Sequence, residues 1–207
     1  MEIEVKNLNK KFNDILAVNN LNFKIEKNKT LGLLGPNGCG KTTTIGMMLG
    51  LIKPSSGNII INNSDINKTE KNLILKYVNF ASPYVELPKK LTVRENLEVY
   101  ARLYDIPKIN HRISELVEEL NLNKFIDKKN GELSSGQKNR VSLAKSLINK
   151  PKVLFLDEPT ASLDPDIGDF VRNYITEYKK QNEITILLAS HNMDEVEKLC
   201  DSVVMMK

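Results

Sequence analysis

The chain has 207 residues, 41% of them hydrophobic and 27% charged, with a net charge of +4. That balance suits one globular domain with its own core, and no apolar run approaches the roughly 18–20 residues that cross a bilayer. The positive charge lies on scattered lysines with no aromatic-interleaved stripe, which excludes the usual nucleic-acid footprint.

In chain order, "MEIEVKNLNKKF" begins a strand pattern and lacks a signal-peptide layout. "IEVKNL", "ILAV" and "LNFKIE" alternate and are separated by asparagine-rich turns, so they predict three half-buried antiparallel strands. "TLGLLG" is a continuous apolar run suited to a strand buried on both faces. A loop and the helical run "TTIGMMLGLI" follow, stopped by "KPSSG". "NIIIN" and "KYVNF" predict two more strands. From Tyr84 to Lys150 the periodicity is helical, with Leu91, Leu97, Tyr100, Leu103 and Tyr104 forming one stripe. Ile113, Leu116, Val117 and Leu120 form another. "KVLFLDE" and "EITILLAS" then return to buried-strand character, each followed by a helix, and "VVMMK" reads as a strand at the end. The two cysteines, Cys39 and Cys200, sit in unrelated contexts and predict a reducing compartment with no disulfide or metal role.

The loop "GPNGCGKT", Gly35 to Thr42, matches G-x-x-x-x-G-K-[ST] between a buried strand and a helix, the context the pattern needs. Gly35, Gly38 and Gly40 let successive N–H groups converge on phosphate oxygens. Lys41 supplies a mobile point charge for the outer phosphates, and Thr42 offers a hydroxyl to magnesium. Downstream, Asp157 and Glu158 stand at the end of an apolar strand, where ligands of open α/β sheets bind. Asp157 is placed to hold the metal and Glu158 to polarise a water. His191 follows another strand end, within reach of a terminal phosphate. "GELSSGQKNRVSLAKSL" is a hydroxyl-rich turn running into a helix, a second anion-holding recipe with no apolar strand before it.

Together these motifs resemble the nucleotide-binding subunit of an ABC transporter along the whole chain. "GPNGCGKTT" is similar to the Walker A motif, "VLFLDE" to Walker B, and "LSSGQ" (Leu133 to Gln137) to the family signature. "SLD" (Ser162 to Asp164) resembles the D-loop and His191 the switch histidine. "GLLGPNG", "LTVRENL", "LYDIP" and "ASHNMDEVEKLCD" look most like bacterial type-two exporters. The resemblance implies an α/β fold: a P-loop NTPase core with a mostly parallel sheet and an N-terminal antiparallel β arm (residues 1–83 and 151–207). A helical subdomain inserted at 84–150 would carry the signature.

It further implies ATP and Mg2+ as cofactors. Phe12 would stack on adenine and Val18 complete that side. Pro36, Asn37, Cys39 and Thr43 would join the glycines, Lys41 and Thr42 around the phosphates, and Glu158, His191 and Lys41 would be catalytic. Two subunits, copies or paralogues, would pair head to tail. Ser134, Ser135, Gly136, Gln137 and Asp164 of one would then serve the nucleotide of the other. Partners would be that second ATP-binding subunit and a membrane-spanning permease, with no nucleic acid. The location would be cytoplasmic, peripheral on the inner face of the cell membrane.

Two departures stand out. Where the family places a glutamine that touches magnesium, "VNFASPYVELPKKLTV" has none, and alignment on "LTVREN" puts Ser82 there, giving a metal set of Thr42, Asp157 and Ser82. Tyr84, Val85 and Leu87 are either the floor of a groove for the membrane subunit or packing beneath the helices. "LSSGQ" also carries Ser135 where the family has glycine. An ATP-binding regulatory switch and a non-transport ABC ATPase are the competing functions.

Overall fold

The computed structural model describes residues 2–69, 71–161 and 163–207. Two long strands, β1 (Ile3–Phe12) and β2 (Ile15–Ile25), open the chain. Strand β3 (Thr30–Leu34) leads into α1 (Lys41–Met48), and β4 (Ser56–Ile61) and the short β5 (Ser64–Asp65) follow. Next come α2 (Lys71–Leu75), β6 (Val78–Ala81) and the helices α3 (Val93–Leu103), α4 (Ile109–Glu119) and α5 (Ser135–Leu147). The order ends with β7 (Val153–Asp157), α6 (Pro165–Asn182), β8 (Thr185–Ser190), α7 (Met193–Leu199) and β9 (Ser202–Met205). Among the described residues, no helix is long and apolar enough to cross a membrane.

The strands make two sheets. One is antiparallel, in the order β2-β1-β4-β5; the other is parallel, in the order β6-β7-β8-β3-β9. Asparagine shapes the first. Asn7 and Asn20 adopt positive φ within β1 and β2, and the pairing register shifts between Val5 and Leu8. Asparagine tolerates the left-handed region that such bulges need. The asparagines between "ILAV" and "LNFKIE" predict a turn; the structure instead keeps one strand and absorbs Asn20 as an irregularity. The side chain of Asn22 seals it, accepting from the Asn7 N–H at 2.8 Å.

Every residue of β3, β7 and β8 is buried, as expected of parallel strands covered on both faces. Their alternation sorts them between two apolar layers. Leu33, Phe155 and Leu187 pack with α1 and the antiparallel sheet. Leu154, Leu156 and Leu188 pack with α3, α4, α5 and α6. The core of the helical segment is therefore continuous with one face of the parallel sheet.

Helix α5 is fastened to β6 by polar bonds. Lys145 Nζ donates to the Phe80 carbonyl at 2.6 Å, Asn79 Nδ2 to Asn149 Oδ1 at 2.8 Å, and Ser142 Oγ to the Ser82 carbonyl at 3.4 Å. Burial lowers the Lys145 ammonium to about 8. The α4 stripe lies inside, but Leu103 of the α3 stripe points to solvent. Val93, Leu97 and Ala101, spaced four apart, form the buried ridge of α3 in its place.

Candidate nucleotide site

β3, β7 and β8 run parallel, so their carboxyl ends open on the same side of the sheet and deliver three loops to one place. After Leu34, the Gly35 N–H donates to the Ser190 carbonyl at 3.3 Å, tying the first loop to the end of β8. Gly40 stands before α1 with φ of 99°, and a Cβ there would lie 2.3 Å from the Ala17 oxygen. Dihedral and space both demand glycine. The first turn of α1 then presents its free N–H groups to the loop. Lys41 is buried; its Nζ donates to the carbonyls of Gly35 (2.7 Å) and Pro36 (3.1 Å) and stands 3.7 Å from Glu158 Oε1. The Thr42 hydroxyl donates to Asp157 Oδ2 at 2.9 Å, joining loop to acid pair.

Asp157 closes β7, and Glu158 follows with φ of 52°, a strained geometry for glutamate. Its N–H donates to the Ala189 carbonyl at 2.8 Å, and its Oε2 meets His191 Nδ1 at 2.8 Å. Burial pushes the Asp157 carboxyl above its ordinary range; the Thr42 hydrogen bond opposes this and the neighbouring Glu158 charge adds to it. Asp157 Oδ1 and Glu158 Oε1 are buried without a hydrogen-bond partner. Only the second has a cation near it, Lys41; a buried carboxylate oxygen without a hydrogen bond is costly, and it suits a hard, oxygen-seeking cation. Among the described residues no cluster of three or more His, Cys, Asp and Glu side chains can hold a metal alone. Magnesium takes one or two carboxylates and draws further ligands from its substrate's phosphates. Asn37, Gly38, Lys41, Thr42, Thr43, Asp157 and Glu158 line a cavity of about 140 Å³ here.

A profile of the family described as ABC transporter matches residues 18–161. The chain belongs to the ABC transporter ATP-binding family. It is 38% identical to the Nod factor export ATP-binding protein I of Burkholderia orbicola, over 96% of this chain and 66% of that protein. It is 32% identical to the sulfate/thiosulfate import ATP-binding protein of Nitrosomonas europaea, over 100% of this chain and 58% of that one. The chain thus spans less than two thirds of these relatives' length. A dimeric ATP-binding cassette solved in a post-hydrolysis state with ADP and Pi superposes with a TM-score of 0.89 at 25% identity, covering 99% of this chain and 94% of that one.

Ser82, Val18, Cys39 and Phe12 do not line this cavity. Ser82 is buried, and its hydroxyl turns back to accept the Tyr84 N–H at 3.3 Å, so the short side chain closes its own turn. From this segment it is Tyr84, 69% exposed, that lines the phosphate cavity. Nothing in the sequence distinguished that tyrosine from a partner contact. Leu87 is core and Val85 half exposed. Val18 is 3% exposed and its Cγ2 lies 3.1 Å from where a Gly40 Cβ would stand, so it packs beneath the loop. Cys39 is half-buried, its Sγ filling the space beside Gly35. Phe12 is exposed at the end of β1, with Lys10 Nζ 4.6 Å from its ring centre.

The signature residues stand apart from this cavity. Ser134 caps α5, accepting from the Gln137 N–H, while Gln137 Oε1 accepts from the Ser134 N–H. The helix therefore starts at Ser135, inside the signature. Gly136 is buried against its own chain: a Cβ there would lie 3.0 Å from Ile167 Cδ1. Ser135 is exposed and lines a second cavity of about 300 Å³ with Ser82, Tyr84 and Lys138. Asp164 is the exposed residue before α6; Ser162 of the expected D-loop lies outside the described residues.

Proposed function

We propose that this chain hydrolyses ATP as the nucleotide-binding subunit of an ABC transporter. The observation that carries the reading is the convergence of Lys41, Thr42, Asp157 and Glu158 on one cavity, with His191 bonded to Glu158 and the buried Asp157 Oδ1 without a hydrogen-bond partner. Lys41 and the loop amides would hold the phosphates, and Phe12 the base. Thr42 and Asp157 would hold Mg2+, which when bound neutralises phosphate charge. Glu158 accepts a proton from the attacking water at its carboxylate, and His191, hydrogen-bonded to that carboxylate, orients it.

Ser135 and the start of α5 do not line the cavity of their own chain, which favours their serving a second subunit's nucleotide. The similarity to a cassette solved as a dimer supports that pairing. The higher identity to export proteins than to an import protein favours outward transport through a separate permease, with this chain peripheral on the cytoplasmic face.

Phosphate release from ATP with Mg2+ tests the reading. Glu158→Gln and Lys41→Ala are each expected to lower turnover at least about a hundredfold. Turnover unchanged in both variants overturns it.

A further inference from the structure

Resting on that reading, we propose that Glu195 is a positioning residue: a buried strut that sets the spacing between the segment carrying Glu158 and the segment carrying His191. The two side chains meet across a single 2.8 Å contact, and the His191 side chain is half exposed, so packing alone does not hold it. What holds its backbone is the residue on either side. The Ser190 hydroxyl donates to Glu195 Oε2 at 2.6 Å and accepts the Asn192 N–H at 3.0 Å. The Asn192 side chain in turn accepts the N–H groups of Asp194 and Glu195 at the start of α7.

The other carboxylate oxygen reaches the second segment. Glu195 Oε1 accepts the Thr160 hydroxyl at 2.6 Å, two residues beyond Glu158, where the Ala161 N–H donates to the Glu158 carbonyl at 3.0 Å. One carboxylate thus spans both segments.

A carboxylate is a poor choice for glue. Glu195 is 1% exposed and makes no ion pair among the described residues; Arg172 hydrogen-bonds the Thr160 hydroxyl, at 3.4 Å, and not the carboxylate. Burying a charge in this way is costly, and an apolar replacement often stabilises. What only the carboxylate offers is two acceptors and no donor, which forces both hydroxyls to point at it. Glutamine would place an amino group against one hydroxyl. Both hydroxyls already accept elsewhere, Ser190 from Asn192 and Thr160 from Arg172.

The test pairs spectroscopy with kinetics on the full chain. The protein has two histidines, so ring-labelled protein gives two imidazole signals, that of His111 serving as internal control. Glu195→Gln is expected to shift the His191 signal and leave that of His111 in place, with no nucleotide added. In steady-state ATP turnover the same variant is expected to lose roughly ten- to a hundredfold in kcat, with KM changed by less than about twofold and Tm equal to or above wild type. Thr160→Val, which cuts the other end of the strut, is expected to give the same loss, and the double variant no more than either alone. An unmoved His191 signal overturns the proposal, as does an additive double variant or a fall in Tm and a rise in KM together with the loss of kcat. A shifted signal in a protein whose wild type does not turn over ATP upholds the strut and refutes the hydrolytic reading of the site instead.

Discussion

Asp157 shows how a single residue trades stability for binding. Burial raises its carboxyl, so the folded chain holds that proton more tightly than the unfolded chain does. The stability contributed by the proton is complete below the ordinary carboxylate range and is lost as pH rises through the raised value. At neutral pH the ionised group is then a net cost, with Oδ1 unpartnered and only the Thr42 hydroxyl on Oδ2. Asparagine keeps an oxygen for Thr42 and removes the charge. Asp157→Asn is therefore expected to melt higher than wild type at neutral pH when no Mg2+ or ATP is added. The gain is roughly 2–4 °C, the response of a chain this long to about 1 kcal/mol. Adding Mg2+ and ATP should reverse the order, because ligand-linked stabilisation requires the carboxylate. Thermal melts at one pH, with and without ligand, decide it; a variant that melts lower in both conditions defeats the argument.

At the scale of elements, α5 shows how a motif is both a cap and a candidate contact. Ser134 and Gln137 satisfy each other's N–H groups in a capping box, as Thr92 and Glu95 do for α3. Losing such a cap costs about 1 kcal/mol. Ser134→Ala and Thr92→Ala are thus each expected to lower Tm by roughly 2–4 °C, measurable by circular dichroism. If Ser134 matters to folding alone, the two variants should keep equal ATP turnover. The buried strands and amphipathic helices were legible in the sequence because their periods are set by burial, and the loop and acid pair because phosphate chemistry fixes residue type and spacing. What escaped has physical reasons. A two-residue strand such as β5 has no period, and the five residues of α2 are too few for one. An asparagine bulge mimics a turn. Ser82 sits in line with a family position, but a hydroxyl two bonds shorter than glutamine finds its own backbone first. Glu195 was invisible because a glutamate four residues after a histidine looks like helix surface until β7 and β8 bring Thr160 and Ser190 to it.

At the scale of the whole molecule, the parallel sheet gathers a nucleotide cavity at one place and leaves the start of α5 outside it. Ser135 sits at the first position of that helix, exposed, and no hydrogen bond engages its hydroxyl among the described residues. Gly136 behind it is filled by Ile167 of the same chain, so the glycine already has a packing reason, and Ser135 is the cleaner probe of an intersubunit role. Glu158→Gln, which on the proposed reading slows hydrolysis while leaving Lys41 and Thr42 in place, is expected to convert the chain from monomer to dimer when ATP and Mg2+ are present, read by light scattering. A bulky side chain at an exposed, unbonded position should leave the monomer's melting temperature within about 2 °C, since surface changes are usually worth less than ±0.5 kcal/mol. Ser135→Trp placed on Glu158→Gln is therefore expected to bind ATP as the single variant does and yet remain monomeric. A dimer that forms equally well with tryptophan at 135 would mean that the start of α5 does not face the second subunit, and the head-to-tail arrangement would fall with it.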